Sequence, residues 1–206
     1  MKGNKLMKDK QKVFLFMMVS LDGFFEGPNH DLSWHNVDEE FNEFAIEQTS
    51  NVDTLLFGRK TYELMASYWP TTEAIKTDPI IAKLMNNTPK IVFSKTLEKV
   101  KESDNWRNVR LVKDNVAEEI KKLKSQPGNN LAVYGSNNFC VSLIQMGLLD
   151  EIRIMVNPVV IGAGTPLFKG IKDRLALQLL KTKAFNSGNV LLYYQPADKK
   201  MKEGKE

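Results

Sequence analysis

Cysteine and histidine are scarce in this chain of 206 residues. Cys140 is the single cysteine, which excludes an internal disulfide, and only His30 and His35 accompany it as soft metal ligands. A structural zinc site takes four such ligands, so we expect no metal site. The chemistry of the protein must come from elsewhere.

Long hydrophobic runs are missing as well. No apolar stretch approaches the roughly 18–20 residues that a membrane-spanning helix needs. The lysines of residues 1–12 are not followed by the hydrophobic stretch of a secretory signal. We therefore expect no membrane partner and a cytoplasmic location.

The body of the chain also lacks an excess of positive charge, although the formal net charge is +4. Residues 1–12 hold five lysines against one aspartate, and residues 197–206 hold four lysines against three acidic residues. Residues 13–196 then carry a net charge of about −1, which argues against a nucleic-acid partner. We expect basic, flexible ends at 1–12 and 196–206 around one domain at 13–195.

Short apolar runs bounded by turn residues alternate with stretches of helical periodicity, which favours an α/β fold with a mostly parallel sheet. The predicted strands are Val13–Val19, Thr54–Phe57, Ile91–Phe93, Val109–Val112 and Leu131–Tyr134. The predicted helices are Asp38–Thr49, Lys60–Ser67, Pro79–Asn87, Val116–Ser125 and Ser136–Met146.

The last quarter of the chain has a different pattern. Glu151–Val160, Leu175–Lys183 and Asn189–Gln195 are strand-like, and no convincing helix separates them. Strands joined without a crossover helix reverse direction locally, so these strands are predicted to be antiparallel. The sheet is therefore predicted to be mixed.

Small polar and cationic residues follow three of the predicted parallel strands. Because ligands of open α/β sheets collect beyond the carboxyl ends of such strands, these junctions together suggest a nucleotide with several phosphates. Each junction alone is also typical of an ordinary turn or helix cap. The junctions are Gly58-Arg59-Lys60-Thr61, Ser94-Lys95-Thr96 and Gly135-Ser136-Asn137-Asn138. Neither the usual dinucleotide fingerprint nor the P-loop motif is present.

Several segments resemble dihydrofolate reductases and, more closely, the reductase domain of bacterial riboflavin biosynthesis (RibD C-terminal domain-like proteins). The likeness covers roughly residues 13–195. It implies a dihydrofolate reductase-like three-layer sandwich with a mixed, mostly parallel central sheet and antiparallel C-terminal strands. The segments that carry it are Val19–Gly27 with Leu32-Ser33-Trp34, Phe57–Glu63, Phe93–Thr96, Tyr134-Gly135-Ser136 and Asn157–Phe168.

The resemblance also implies residue roles. The cofactor would be NADPH, and the substrate would meet Asp22, Trp34 and a carboxylate of the helix at 38–43, for which we choose Glu40. Asp22 is our candidate catalytic residue, although Asp-Gly is also a turn signal and Trp34 is also interpretable as a packing anchor. The candidate cofactor-binding residues are Gly58, Arg59, Lys60, Thr61, Ser94, Lys95, Gly135, Ser136 and Asn137.

Two positions depart from the dihydrofolate reductase pattern. Ser136 stands where those enzymes have a second glycine, and the acid that holds the pteridine has no gap-free counterpart. For His30 and His35, surface positions are a simpler interpretation than a metal or general-acid role. Cys140 is interpreted as a buried structural thiol.

The function predicted on this basis is an NADPH-dependent reductase that transfers a hydride to a small heterocyclic, pterin- or pyrimidine-like, or sugar-derived substrate. The alternative is a nucleotide-binding module or sensor that keeps the NADPH pocket without turnover. The riboflavin-type resemblance also implies a homodimer.

Overall fold

A computed structural model describes residues 10–197 as an α/β fold, with a short 3-10 turn at Pro28–His30. Its strands are β1 (Val13–Ser20), β2 (Phe24–Glu26), β3 (Val52–Gly58), β4 (Lys90–Phe93), β5 (Val109–Val112), β6 (Asn130–Val133), β7 (Glu151–Asn157), β8 (Thr165–Pro166), β9 (Leu177–Ala184) and β10 (Val190–Pro196). Its helices are α1 (Glu39–Ser50), α2 (Arg59–Tyr68), α3 (Thr72–Thr77), α4 (Pro79–Asn87), α5 (Val116–Lys124) and α6 (Asn137–Gln145).

The described chain divides into two compact units, each made of two separate stretches of sequence. The first unit contains residues 10–13 and 45–133, and its strands follow the order β5-β4-β3-β6. All of its strand pairs are parallel. The inner strands β3 and β4 are largely buried, as their continuous apolar sequences predict for strands covered on both faces.

The second unit contains residues 14–44 and 134–197, and its strands follow the order β1-β7-β10-β9. β1 pairs with β7 in parallel, whereas β10 pairs antiparallel with both β7 and β9. A small second sheet consists of β2 and β8. The predicted combination of mostly parallel strands with antiparallel C-terminal strands is confirmed.

Some element boundaries differ from the sequence-based prediction. The strand predicted for 151–160 ends at Asn157, because Pro158 has no backbone N–H to continue the ladder. The short elements α3, β2 and β8 were not predicted, since none is long enough to show a period. Asp38 is a helix cap whose Oδ1 accepts from the backbone N–H of Phe41, so α1 begins at Glu39.

The expected flexible ends fall mostly on residues 1–9 and 198–206, which lie outside the described residues. Inside the described part, Gln11 is buried and its backbone N–H donates to the carbonyl oxygen of Gln126. At the other end, Ala197 donates to the carbonyl oxygen of Ala176. Among the helices of the described chain, none is long and apolar enough to cross a membrane.

Candidate functional site

Two of the three predicted ligand-binding junctions meet in the first unit. β3 and β4 are parallel neighbours, and their register places Gly58 opposite Phe93. The residues that follow, Arg59 and Ser94, therefore leave the sheet side by side at its carboxyl edge. This is the edge at which α/β proteins bind their ligands.

The N-terminus of α2 has the features of an anion-binding helix start. Gly58 is buried and precedes the helix in an extended conformation, and no described side chain caps the first N–H groups. The first turn contains no acidic residue, whereas α1, α3 and α5 all carry glutamates there. Arg59 and Lys60 are both exposed. Unpaired N–H groups, the helix dipole and these cations together favour an anionic group.

The Ser94 hydroxyl shapes the neighbouring loop. Its Oγ accepts from the backbone N–H of Thr96 at 3.3 Å and from that of Leu97 at 3.0 Å. Ser94 is therefore the residue that forms the turn, and Lys95 projects from that turn with an exposed side chain. Lys95 is therefore the cation that this junction offers to an anion.

A buried lysine in the same unit fastens the loop that joins β4 to β5. Lys90 Nζ donates to the carbonyl oxygens of Asn86, Thr88 and Arg107 at 2.8, 2.7 and 3.2 Å. The ammonium group also lies 4.4 Å from the centre of the Trp106 ring. Burial lowers the pKa of Lys90 to about 8, and the three carbonyl bonds compensate the charged form.

The third junction belongs to the second unit. Gly135 has a φ of 117°, a conformation that favours glycine, and its peptide bond to Ser136 is cis. Ser136 is the N-cap residue of α6, but within the described chain its hydroxyl makes no capping bond. The first turn of α6 contains no acidic residue. This helix start is therefore also open to an anion.

Asn137 has a different task from the other residues of that junction. Its side chain is buried, and its Nδ2 donates to the carbonyl oxygens of Pro166, at 3.1 Å, and of Leu167. The side-chain amide thus ties the start of α6 to β8. A cofactor contact from Asn137 would have to come from its carbonyl oxygen or its backbone.

The Asp22 carboxylate binds the loop that follows β7. Its Oδ2 accepts from the backbone N–H of Gly162 at 2.8 Å, and its Oδ1 accepts from that of Ile161 at 3.3 Å. The Ser20 hydroxyl and these N–H groups hold the pKa of the Asp22 carboxyl below its ordinary value. Asp22 is therefore ionised at neutral pH, where it accepts hydrogen bonds and is not a proton donor.

The same two loops are joined again farther along the chain. Glu26 Oε1 accepts from the Thr165 hydroxyl at 2.9 Å, and Glu26 Oε2 lies 2.8 Å from His30 Nδ1. Gly164 packs so closely on the backbone of Glu26 that a Cβ at this position would clash with the Glu26 carbonyl oxygen. The loop after β1 and the loop after β7 therefore act as one paired-loop element.

Trp34 lies in the segment between this element and α1. Its indole Nε1 donates to the carbonyl oxygen of Asp31 at 3.1 Å, and its ring meets His35 edge-on with centroids 4.5 Å apart. Contrary to the predicted surface position, His35 is largely covered, and burial lowers its pKa to about 4. Among the described atoms, His35 Nε2 is buried and has no hydrogen-bond partner.

Glu40 is bound to the β9–β10 hairpin. Its Oε2 accepts from the backbone N–H of Asn186 at 2.9 Å, and its Oε1 lies 3.5 Å from Lys183 Nζ. Both oxygens of the candidate substrate carboxylate thus have protein partners.

A model of the RibD C-terminal domain family matches residues 11–191. The chain belongs to this RibD C-terminal domain family. Over 187 residues it is 36% identical to the uncharacterized protein YyaP of Bacillus subtilis strain 168. The aligned region covers 90% of this chain and 95% of YyaP.

Solved structures show the fold that this RibD C-terminal domain protein shares. A putative riboflavin biosynthesis protein from Shewanella sp. PV-4 superposes with a TM-score of 0.69 at 24% identity, covering 91% of this chain and 100% of that one. A dihydrofolate reductase from Enterococcus faecalis superposes with a TM-score of 0.62 at 16% identity. This superposition covers 93% of this chain and 99% of the reductase. The predicted dihydrofolate reductase-like fold is confirmed.

Sequence reasoning missed the asparagines that position the Trp34 segment in this RibD C-terminal domain protein. Asn157 is fully buried, and its Oδ1 accepts from the backbone N–H of Asn36 at 2.9 Å. The side-chain Nδ2 of Asn36 in turn donates to the carbonyl oxygen of Ser187. The backbone carbonyl oxygen of Asn36 accepts from Nδ2 of Asn189. The sequence signal at this point is Asn157 before Pro158, which predicts a turn. It does not reveal Asn36 as the partner of Asn157, because the two residues are far apart in sequence.

Cys140 lies in α6 and is buried. Burial raises the pKa of its thiol to about 12, so the reactive thiolate is not formed at neutral pH. This agrees with the interpretation of Cys140 as a structural thiol.

Proposed function

We propose that this RibD C-terminal domain protein is an NADPH-dependent reductase acting on a small heterocyclic, pterin- or pyrimidine-like, or sugar-derived substrate. The observation that carries the proposal is the register of β3 and β4, which brings the uncapped start of α2 next to the Lys95 turn. The Enterococcus faecalis dihydrofolate reductase of the same fold is a complex with NADP(H), which supports the choice of cofactor.

In the first unit, Arg59, Lys60 and the N–H groups of α2 bind phosphate, and Gly58 permits the close approach. Thr61 follows in the same helical turn and adds a hydroxyl donor. Lys95 supplies the charge for the additional 2′-phosphate that distinguishes NADPH from NADH. Ser94 acts through the turn it forms, because its Oγ already accepts two backbone N–H groups.

In the second unit, Gly135 and Ser136 at the open start of α6 bind the pyrophosphate. Asn137 holds β8 and thereby keeps that helix start in place. The nicotinamide of the bound cofactor supplies the hydride. The residues of the chain bind and orient the reactants and exclude water, which is the main contribution of a protein to hydride transfer.

Trp34 and Asp22 meet the substrate in this proposal. Trp34 offers an aromatic face to a flat heterocycle. Ionised Asp22 accepts a hydrogen bond from the substrate with the lone pairs that the Ile161 and Gly162 N–H groups leave free. Glu40 fixes the β9–β10 hairpin in the free protein and binds the substrate by exchanging its hydrogen bond from Asn186 for one from the substrate.

The cofactor preference is testable by charge reversal at Lys95. We expect Lys95→Glu to lower the affinity for NADPH by about tenfold or more, the equivalent of roughly 1.4 kcal/mol, with little change for NADH. The measurement is titration calorimetry or NADPH fluorescence with both nucleotides. Lys99→Glu, an exposed lysine of the same loop, is the matched control. An unchanged ratio of NADPH to NADH affinity would remove the assigned role of Lys95.

A nucleotide-binding module without turnover is the second candidate function. It is favoured by the candidate site carboxylates, since Asp22 and Glu40 both already accept backbone N–H groups. Consumption of NADPH with dihydrofolate, other pterins and ribosylaminopyrimidines separates the two candidates. Turnover with any of them establishes the reductase, whereas tight NADPH binding without turnover across the panel favours the module.

The protein is further proposed to be a cytoplasmic homodimer. β9 supports this assembly, because it ends the strand order of the second unit and pairs only with β10 among the described strands. Leu179 and Leu180, adjacent residues of β9 at the point where its register with β10 shifts, are 50% and 46% exposed. A second copy of the chain would cover this apolar edge.

A further inference from the structure

The loop that joins β4 to β5 in the first unit, residues 94–108, is fastened although it contains no helix. A loop of this length without regular structure is uncommon in a compact protein and is usually functional or disordered. Here it carries Lys95 near its start and a short bridge between Ser103 and Trp106 near its end. Separate contacts, from Tyr62 and from Lys90, hold the two halves of the loop in place.

Tyr62 of α2 supplies the contact in the middle of the loop. Its hydroxyl donates to the carbonyl oxygen of Lys101 at 2.8 Å and accepts from the backbone N–H of the same residue at 2.7 Å. One side-chain oxygen thus satisfies both polar backbone groups of Lys101. The Tyr62 side chain is only 2% exposed, and burial raises its pKa, so the hydroxyl keeps the proton it donates.

The far half of the loop has its own attachment. Lys90 binds the carbonyl oxygen of Arg107 and lies over the buried ring of Trp106. The Trp106 ring also packs against the Tyr62 ring, with centroids 6.4 Å apart, so removal of the hydroxyl alone keeps this ring contact and the Lys90 contacts at the Trp106 end. The part it releases is the stretch between Leu97, at the end of the Ser94 turn, and Lys101, and this stretch continues directly from the turn that carries Lys95.

Tyr62 also belongs to the helix whose start is the proposed phosphate site. It follows Arg59 by three residues, so the two side chains stand one turn apart on the same face of α2. A rigid, buried ring thus connects the helix that carries Arg59 with the loop that carries Lys95. If both cations bind one nucleotide, the Tyr62–Lys101 contact restrains the distance between them in addition to the register of β3 and β4.

We propose that Tyr62 is a positioning residue that sets the Lys95 loop against the start of α2 and thereby gives the site its preference for 2′-phosphorylated adenine nucleotides. This inference rests on the proposed function, because it assigns Lys95 to the 2′-phosphate. It adds a residue that touches no ligand and acts through the loop.

The test compares Tyr62→Phe with Tyr68→Phe, which removes an exposed hydroxyl from the same helix. The ligands are adenosine 2′,5′-bisphosphate and 5′-AMP, measured by calorimetry, with NADPH and NADH as a second pair. For Tyr62→Phe we expect a loss of about tenfold for the 2′-phosphorylated ligands, as for the loss of one or two hydrogen bonds, and no change for the others. Tyr68→Phe should match the unsubstituted protein.

A purely structural role would give a different pattern. It would weaken all four ligands equally or lower only the melting temperature, and either result overturns the inference. Lys101→Pro disrupts the same contact from the side of the loop. It removes the backbone N–H from which the Tyr62 hydroxyl accepts a hydrogen bond and leaves the buried ring intact. It should show the same selective loss, and it provides the comparison if Tyr62→Phe is poorly folded.

A double-mutant cycle tests whether Tyr62 acts through Lys95. In a Lys95→Ala background, Tyr62→Phe should cause no further loss of adenosine 2′,5′-bisphosphate affinity, whereas additive losses contradict the mechanism. If the unsubstituted protein binds neither NADPH nor the bisphosphate, the proposed function itself fails. If the unsubstituted protein binds them and Tyr62→Phe keeps the same preference for 2′-phosphorylated ligands, only the Tyr62 inference is rejected.

Discussion

Asp22, Glu40 and Ser94 show what short polar side chains do around this site. Each accepts one or two backbone N–H groups from a loop, at 2.8 to 3.3 Å. Their ligand-binding roles stay predictions, but their contacts already give them a second task, which is to hold the loops in one conformation. Such loop contacts keep a site in the geometry that binding needs.

His35 supports a prediction about acid stability at the same scale. Its pKa is lowered from 6.5 to about 4, so between these values the unfolded chain binds a proton that the folded chain excludes. The free energy of unfolding should therefore fall as the pH drops from about 6.5 towards 4, by roughly 3 kcal/mol at the lower limit.

The measurement is urea denaturation at a series of pH values. His35→Phe, which removes a buried nitrogen without a partner among the described residues, should flatten this dependence and preserve stability at neutral pH. His30→Gln removes the exposed histidine and leaves His35 in place, so it should retain the slope. A slope that is equal in His35→Phe and the unsubstituted protein contradicts the assignment.

At the scale of elements, the loops after β1 and β7 form the paired-loop element. The Asp22 carboxylate, the Glu26–Thr165 hydrogen bond and the close packing of Gly164 all join them. The loop after β1 thus has side-chain contacts to the loop after β7 near both of its ends.

Gly164 is the position at which this pairing is most easily tested. A Cβ there clashes with the Glu26 carbonyl oxygen, and both groups are backbone, so relief requires the loops to separate. Gly162 is the control, because its φ of 73° disfavours alanine but no atom lies within 4 Å of a Cβ. We expect Gly162→Ala to cost about 1 kcal/mol and Gly164→Ala at least twice that in denaturant unfolding. Equal costs would mean that the loops are not tightly paired.

For the whole molecule, the proposed homodimer is the property most open to measurement. Leu180→Lys places a charge on the exposed edge strand β9 and should shift the protein to monomers in sedimentation velocity. Leu64→Lys, at a residue of α2 that is 50% exposed, should leave the dimer intact. A monomeric unsubstituted protein, or a dimer that tolerates Leu180→Lys, excludes β9 as the interface.

Local patterns in the amino-acid sequence determined the elements of this protein, because apolar runs, helical periods and turn residues act between close neighbours. They were sufficient to predict the parallel strands, the antiparallel C-terminal strands and the junctions at Gly58, Ser94 and Gly135. Tertiary structure alone decided the register that aligns Gly58 with Phe93 and the partners of Tyr62, Asp22 and Asn157. These contacts join residues 35 to 140 positions apart, and no local propensity specifies a distant partner.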